Sequence, residues 1–340
     1  MNNIAFIVTK SEIGGAQTWT NEMMKLMRSE GIVHLITSEQ GWLTDQRNYD
    51  KVLYLPQLKK HFSLTGYISL LKYIKREKIT VMVASSANAG IFSRMARLIT
   101  KFRCIYVSHG WSCIYNGGSL KTLFIKIEKY LSLITDSVWC VSKSDYDKAH
   151  KIIGIRSQKL TMLANSVPRM NPKFEVNTPK KIIFVGRLTH PKRPDIILDI
   201  ISKHSELELY IAGGGEYLSE LKKKYEKFLN INFLGEIKNF NDYDKYDVFT
   251  LISESEGLPM SALEAHTSGL PLLLSNVGGC AELIDENGFL VENDIIDIEE
   301  KLLKIIDKYD FYLLAAQASK EKFVFEKHAL KYKEFVLSSK

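Results

Sequence analysis

Short, uniformly apolar runs recur along the chain, each followed by a polar or glycine-containing turn and then by a stretch with helical spacing. Residues 4–8 form the first run. It has no polar alternation, so it suits a strand buried on both faces, as in a parallel sheet. Residues 33–37, 81–84, 105–107, 138–141 and 160–163 repeat the signal. Between them, the spacing of Trp19, Met23, Leu26 and Met27 predicts a helix, and 64–75 and 90–101 predict two more. Strands alternating with helices imply βαβ units and a parallel sheet with helices on both faces.

Pro168, Pro172 and Pro179 punctuate a polar segment, 169–180, which reads as an interdomain linker. Beyond it the pattern restarts, with strands expected at 182–185, 207–212, 231–235, 248–252, 271–274 and 289–291. Lys192-Arg193-Pro194-Asp195 opens a helix, and helical spacing returns at 260–267, 298–309 and 312–336. The expected layout is an α/β domain over 1–168, a linker over 169–180, a second α/β domain over 181–318, and a terminal helix over 319–340.

Composition agrees with two soluble domains. The chain has 340 residues, 45% hydrophobic and 25% charged. Its first apolar run is too short for a signal peptide, and no run of eighteen apolar residues could span a membrane. Cys104, Cys113, Cys140 and Cys280 form no C-x-x-C pair, which suits free thiols in a cytoplasmic protein. Charge is lopsided. The net +7 divides after Pro168 into +12 and −5. The basic half is expected to face a polyanion, either nucleic acid or an anionic membrane surface. Segments 58–62, 71–76, 94–97, 101–103 and 121–126 mix basic and bulky apolar residues, the composition of helices at a membrane interface. No nucleic-acid-binding module is recognisable, so the membrane is favoured over nucleic acid. Nothing in the pattern sets an oligomeric state.

The chemistry concentrates in 253–279, SESEGLPMSALEAHTSGLPLLLSNVGG. Gly257-Leu258-Pro259 precedes a helix beginning at Met260 and Ser261, with Pro259 expected in the first turn. A helix start offers free N–H groups and partial positive charge, a seat for phosphate. Glu256 ahead of it and Glu264 in its second turn suit hydroxyls on either side of a diphosphate: a hexose and a ribose. The plainer reading is a solvated acidic face. Arg187, in Gly186-Arg187-Leu188 after a strand, and Lys192 can clamp a diphosphate. Gly213, in a Gly-Gly-Gly turn, and Gly14-Gly15 end strands where backbone can approach a ligand. His109 follows a strand end, a ligand position in open α/β sheets, although a lone histidine is more often structural. Asp145-Tyr-Asp147 and Asp242-Tyr-Asp244 have the Asp-x-Asp form of a metal site but read as helix caps or solvated faces. No metal or other cofactor is expected.

The Glu-x7-Glu segment, with its Gly-x-Pro and the following Gly278-Gly279-x-x-Glu282, resembles the family-4 retaining glycosyltransferases of the GT-B fold. That resemblance implies two Rossmann-like lobes facing each other across a cleft, with the terminal helix returning to the first. It assigns Glu256 to the donor hexose and Glu264 to the ribose. Arg187 and Lys192 go to the pyrophosphate, His109 to the donor sugar, and Gly14-Gly15 to the phosphates and acceptor. Gly213-Gly214-Gly215 departs from the family's Gly-Asp-Gly. The implied activity is metal-independent, retaining transfer of a hexosyl or N-acetylhexosaminyl group from a nucleoside-diphosphate sugar, UDP first and GDP second. The implied acceptor is a saccharide on a polyprenyl lipid, in O-antigen or capsule-type assembly at the inner face of the cell membrane. A nucleotide-sugar epimerase of the same fold and a non-catalytic membrane or nucleic-acid adaptor are the competing classes.

Overall fold

The computed structural model describes residues 2–60, 63–115, 118–174 and 178–338. Positions 61 and 62 of the first basic segment, 175–177 of the expected linker, and 1, 339 and 340 at the margins of the expected domains lie outside the described residues. The chain divides into two compact units, Met1–Ala164 with Ala329–Lys340, and Asn165–His328.

The first unit is built on a seven-stranded parallel sheet. Its strands are β1 (Asn2–Ile7), β2 (Gly31–Thr37), β3 (Lys51–Tyr54), β4 (Val81–Ala84), β5 (Arg103–Ser108), β6 (Ser137–Cys140) and β7 (Leu160–Met162), in the order β3-β2-β1-β4-β5-β6-β7. The runs read as doubly buried are so: Ile4, Ala5, Phe6, Ile7, Met82 and Val83 have no exposed surface. Each large aliphatic sealed this way contributes about 1.5–3 kcal/mol, which is why the uniform apolar pattern determines these strands. Helices α1 (Gly15–Met27), α2 (Leu64–Glu77), α3 (Ala87–Arg97) and α4 (Lys121–Leu133) connect them. Edge strand β3, half-exposed and only four residues long, was not expected.

The second unit carries β8 (Lys181–Val185), β9 (Glu208–Ala212), β10 (Ile231–Gly235), β11 (Val248–Leu251), β12 (Leu272–Ser275) and β13 (Gly288–Val291), parallel throughout, in the order β10-β9-β8-β11-β12-β13. Its longer helices are α5 (Pro194–Ile201), α6 (Leu218–Tyr225), α7 (Met260–Ser268), α8 (Ile295–Asp307), α9 (Tyr309–Ser319) and α10 (Phe325–Leu337). Both units are therefore Rossmann-like α/β domains.

Several expectations change. The segment 312–336 is not one helix. It breaks between α9 and α10, where Val324 pairs with Val167 as an isolated bridge. Helix α10 begins in the second unit, and its residues from Ala329 onward are counted with the first. There Tyr332 is buried, donates to the Ala164 carbonyl at 2.6 Å and stacks on Trp139. The described part of 169–180 belongs to the second unit, where buried Lys173 reaches Asp247 at 2.8 Å. Asp145 is no solvated face. It is fully buried in the first turn of the helix Lys143–Lys148, where Ser142 caps its N–H. Arg94 is not a surface cation either. It is sealed inside, bonded through two nitrogens to Glu128 at 2.7 and 3.2 Å and lying over the Tyr106 ring. Arg103 donates to carbonyls of Val336 and Ser338 rather than to solvent.

Candidate functional site

In the second sheet β8 and β11 lie side by side, but the chain leaves β8 towards β9 and β11 towards β12. The loops leaving their carboxyl ends therefore part, and this switch point is where open α/β sheets bind ligands. The loop after β8 carries Gly186, Arg187 and Lys192, and the loop after β11 carries Ser253 to Pro259. They are stitched together. Lys192 and Ser253 form an antiparallel bridge, and Glu254 N–H donates to the Pro191 carbonyl at 2.9 Å. Ser275 accepts from Ser253 N–H at 2.9 Å and donates to Asn293 at 2.6 Å, while Asn293 donates back to the Ser253 carbonyl.

The stitching puts Lys192 beside Glu256. Its ammonium donates to the carboxylate, and the side chains are only 16% and 10% exposed. Each neutralises a charge that would be costly to leave unpartnered at this depth. An ammonium has three donors, so Lys192 can hold Glu256 and still offer hydrogens to an anion. Arg187 sits on the same loop and is exposed.

Helix α7 begins directly after this pair. Pro259 is its N-cap, with extended backbone, and the helix begins at Met260 as the sequence predicts. Asn165, buried, donates to the Leu258 carbonyl at 3.2 Å and holds the approach to the helix. Gly257, Leu258, Pro259, Met260 and Ser261 thus form one turn, with the first amides of α7 at its end. Glu264, one turn on, accepts from the Tyr243 hydroxyl at 2.6 Å. Tyr243 is fully buried, and its phenol is pushed well above the ordinary value by burial and then by the Glu264 charge, so it stays a donor.

Two glycines fix the loops sterically. A Cβ on Gly213 would lie 1.9 Å from the Gly186 carbonyl oxygen, so the Gly-Gly-Gly turn and the Arg187 loop touch backbone to backbone. Gly278 has φ +58°, and a Cβ there would lie 1.9 Å from the Glu256 carbonyl oxygen. Tyr243, Asn165 and Gly278 were not picked out as site residues from sequence. Gly278 had a signal, the Gly-Gly pair that closes the Glu-x7-Glu segment.

The remaining predicted residues lie in the first unit. Gly14 caps α1 and Gly15 begins it, in the turn after β1. Thr9 and Ser86 tie that turn to the end of β4 at 2.7 Å. His109 follows β5, and its ring meets Trp19 edge-on at 5.1 Å. Burial pushes His109 down to about 3, so the imidazole is neutral. Its Nε2, the Trp19 indole nitrogen and the Ser108 hydroxyl are sealed, with no hydrogen-bond partner among the described residues. Three polar atoms left this way, two at the end of β5 and one on the α1 indole packed against it, are costly unless a ligand completes them. No group of three metal-ligating side chains occurs among the described residues.

Two Rossmann-like units, the second with paired cation and carboxylate ahead of a helix start, define a glycosyltransferase of the GT-B class. The sequence pattern of Glycosyltransferase Family 4 matches residues 13–171, and that of Glycosyl transferases group 1 matches 168–322. The chain belongs to this family. It is 53% identical over 337 residues to the O-antigen biosynthesis glycosyltransferase WbnH of Escherichia coli, covering 99% of this chain and 100% of that protein. It is 27% identical over 339 residues to the UDP-Gal:alpha-D-GlcNAc-diphosphoundecaprenol alpha-1,3-galactosyltransferase of Escherichia coli, covering 89% of this chain and 88% of that one. Among solved structures, Anabaena Alr3699/HepE in complex with UDP and glucose shares the fold, with TM-score 0.84 at 16% identity over 98% and 99% of the two chains.

Proposed function

We propose that the protein transfers a hexosyl or N-acetylhexosaminyl group from a nucleoside-diphosphate sugar to a lipid-linked saccharide, with retention at the anomeric carbon and without a metal. The role is in O-antigen assembly, UDP being preferred over GDP. The observation that carries it is the Lys192–Glu256 pair beside the first turn of α7. Breaking the bond between sugar and diphosphate leaves a cation-like sugar and growing negative charge on phosphate. Lys192, Arg187 and the α7 amides are fixed donors for that charge as it develops. Glu256 supplies acceptors for sugar hydroxyls and Glu264 for ribose. A carboxylate on the ribose leaves no pair flanking the scissile bond, the arrangement of hydrolytic glycosidases. Retention then calls for attack on the face the phosphate leaves, with the phosphate taking the acceptor's proton. The Escherichia coli relative named for UDP-Gal and a diphosphoundecaprenol acceptor supports this choice of donor and acceptor.

The test is incubation with UDP- and GDP-sugars and a polyprenyl-diphosphate saccharide, with and without EDTA, reading the product's anomeric configuration by NMR. Retained configuration with EDTA-insensitive turnover is expected. Inversion or EDTA inactivation overturns the mechanism, and epimerised donor without acceptor overturns transfer.

A further inference from the structure

Trp19 occupies a place in the first unit that packing alone does not account for. It stands in the second turn of α1, on the buried face, and is 2% exposed. Its indole nitrogen is sealed, with no hydrogen-bond partner among the described residues. A buried tryptophan ordinarily finds one, and a leucine or phenylalanine would fill the core without stranding a donor. What the larger ring does is span a gap. Its centroid lies 5.1 Å from the Trp139 ring on β6 and 5.1 Å from the His109 imidazole just past β5, at interplanar angles of 86° and 69°. The far side of this column is fixed. Trp139 is fully buried, donates to the Leu163 carbonyl at 2.7 Å, and carries Tyr332 and Phe335 against its ring. Helix α1 is pinned as well, since the Thr20 hydroxyl lies 2.9 Å from that of Ser85, just past β4.

No hydrogen bond holds the His109 ring among the described residues, and its Nε2 is sealed without a partner. Its orientation is therefore set by what it packs against, and the ring it meets is Trp19. The residue keeps some exposed surface, so a ligand can reach it. We propose that Trp19 is a positioning residue for His109: backed by Trp139, it fixes the imidazole in one orientation for the donor sugar. A side chain held before the ligand arrives loses less rotational freedom on binding. The same indole keeps water off the ring. Trp19, Ser108 and Trp139 carry no charge, and burial is the cause that holds the imidazole neutral. A neutral imidazole has one donor and one acceptor for sugar hydroxyls. The inference rests on the assignment of His109 to the donor sugar. The coupling of Trp19 to His109 is read without any ligand, so the two can fail separately.

The experiment is a double-mutant cycle on the full chain, with wild type, Trp19→Leu, His109→Asn and the double variant. Trp19→Phe is added as the variant that keeps an aromatic edge on the imidazole. Calorimetry reads the affinity for UDP-galactose against that for UDP. The histidine ring nitrogens are read by 15N NMR without ligand, His109 being the signal that His109→Asn removes. Trp19→Leu should weaken UDP-galactose by about fivefold or more and UDP by less than about twofold. Once His109 is asparagine, the same change should cost less than about twofold on either ligand, because effects that act through one residue are not additive. In Trp19→Leu the His109 ring should titrate near its ordinary value of about 6.5, while in wild type and Trp19→Phe it stays neutral throughout that range. Trp19→Phe should keep UDP-galactose affinity within about threefold of wild type, since the edge contact survives. The proposal is overturned if Trp19→Leu weakens UDP-galactose equally with and without His109, or weakens UDP and UDP-galactose alike. It is also overturned if His109 stays neutral in Trp19→Leu. His109→Asn with undiminished UDP-galactose affinity removes the histidine from the sugar and the inference with it, while transfer itself stands.

Discussion

Tyr243 donates its hydroxyl hydrogen to Glu264 across 2.6 Å, from a ring with no exposed surface. Phe240 meets that ring edge-on at 4.9 Å, so the donor is held in place by packing. The carboxylate assigned to the ribose is thereby oriented before any ligand arrives. Tyr243→Phe removes one oxygen and little else. A hydrogen bond to a charged group contributes about 1.5–3 kcal/mol, so UDP affinity should fall roughly tenfold or more by calorimetry, with kcat nearly unchanged. Undiminished affinity would remove Glu264 from the nucleotide site.

Lys192→Ala and Arg187→Ala should each lower kcat for transfer by about 10²–10³, the scale of losing one fixed donor at a developing oxyanion. Lys192→Ala also strands Glu256, so its melting temperature should drop. Near-normal turnover in both variants would end the phosphate assignment.

Gly278→Ala places a methyl 1.9 Å from the Glu256 carbonyl oxygen at a φ that disfavours alanine. The Glu256 loop must move. A stability loss of about 1–3 kcal/mol is expected from the overpacking, together with a turnover defect larger than that loss explains. Urea unfolding alongside transfer rates separates the two effects.

Arg94→Met leaves Glu128 charged and buried without its partner, a change that typically costs about 3–5 kcal/mol. Adding Glu128→Leu should restore most of the loss, because two apolar side chains can fill the space of the pair. Chemical denaturation of the single and double variants measures this.

Acid should destabilise the fold before it reaches ordinary carboxylates. In an unfolded chain histidines take up protons below about pH 6.5. In the folded protein, burial holds His109 neutral to about 3 and His266 to about 4. Between those values the unfolded state binds more protons, so stability present above pH 6.5 is lost as pH falls, by about 1.4 kcal/mol per pH unit for each histidine. Urea midpoints at pH 7.5 and 5.0 should show it, and His266→Asn should flatten the slope.

Strand positions were legible because a strand buried on both faces needs apolar residues at every position, and the runs at 81–84 and 248–252 land on β4 and β11, every residue of which is buried. Strand β3 escaped because an edge strand need not be apolar. Helix α4 was read over 121–126 alone, as a segment mixing basic and bulky apolar residues, and its extent to Leu133 was missed because its two apolar faces blur the helical period. The Glu-x7-Glu stretch and the Arg/Lys loop were readable from local order along the chain. The supports were not. Arg94 and Glu128 are 34 residues apart, and Asn165 lies 93 residues from the Leu258 carbonyl it holds. Tyr243 sits between two aspartates that pointed to solvent, and only the packing of the single helical turn Tyr243–Lys245 under α7 turns it inward.

The packing of Tyr332 and Phe335 on Trp139 of the first unit's sheet bears on how the protein is made. A ribosome that has just finished Ala164 must add roughly 165 more residues before Ala329 exists. At about 5–20 residues per second that is on the order of ten to thirty seconds. Throughout that interval Trp139 has no Tyr332 or Phe335 to cover it. The nascent first half therefore waits with an open flank, a stage at which a chaperone or a slow-translating codon run has most influence on yield.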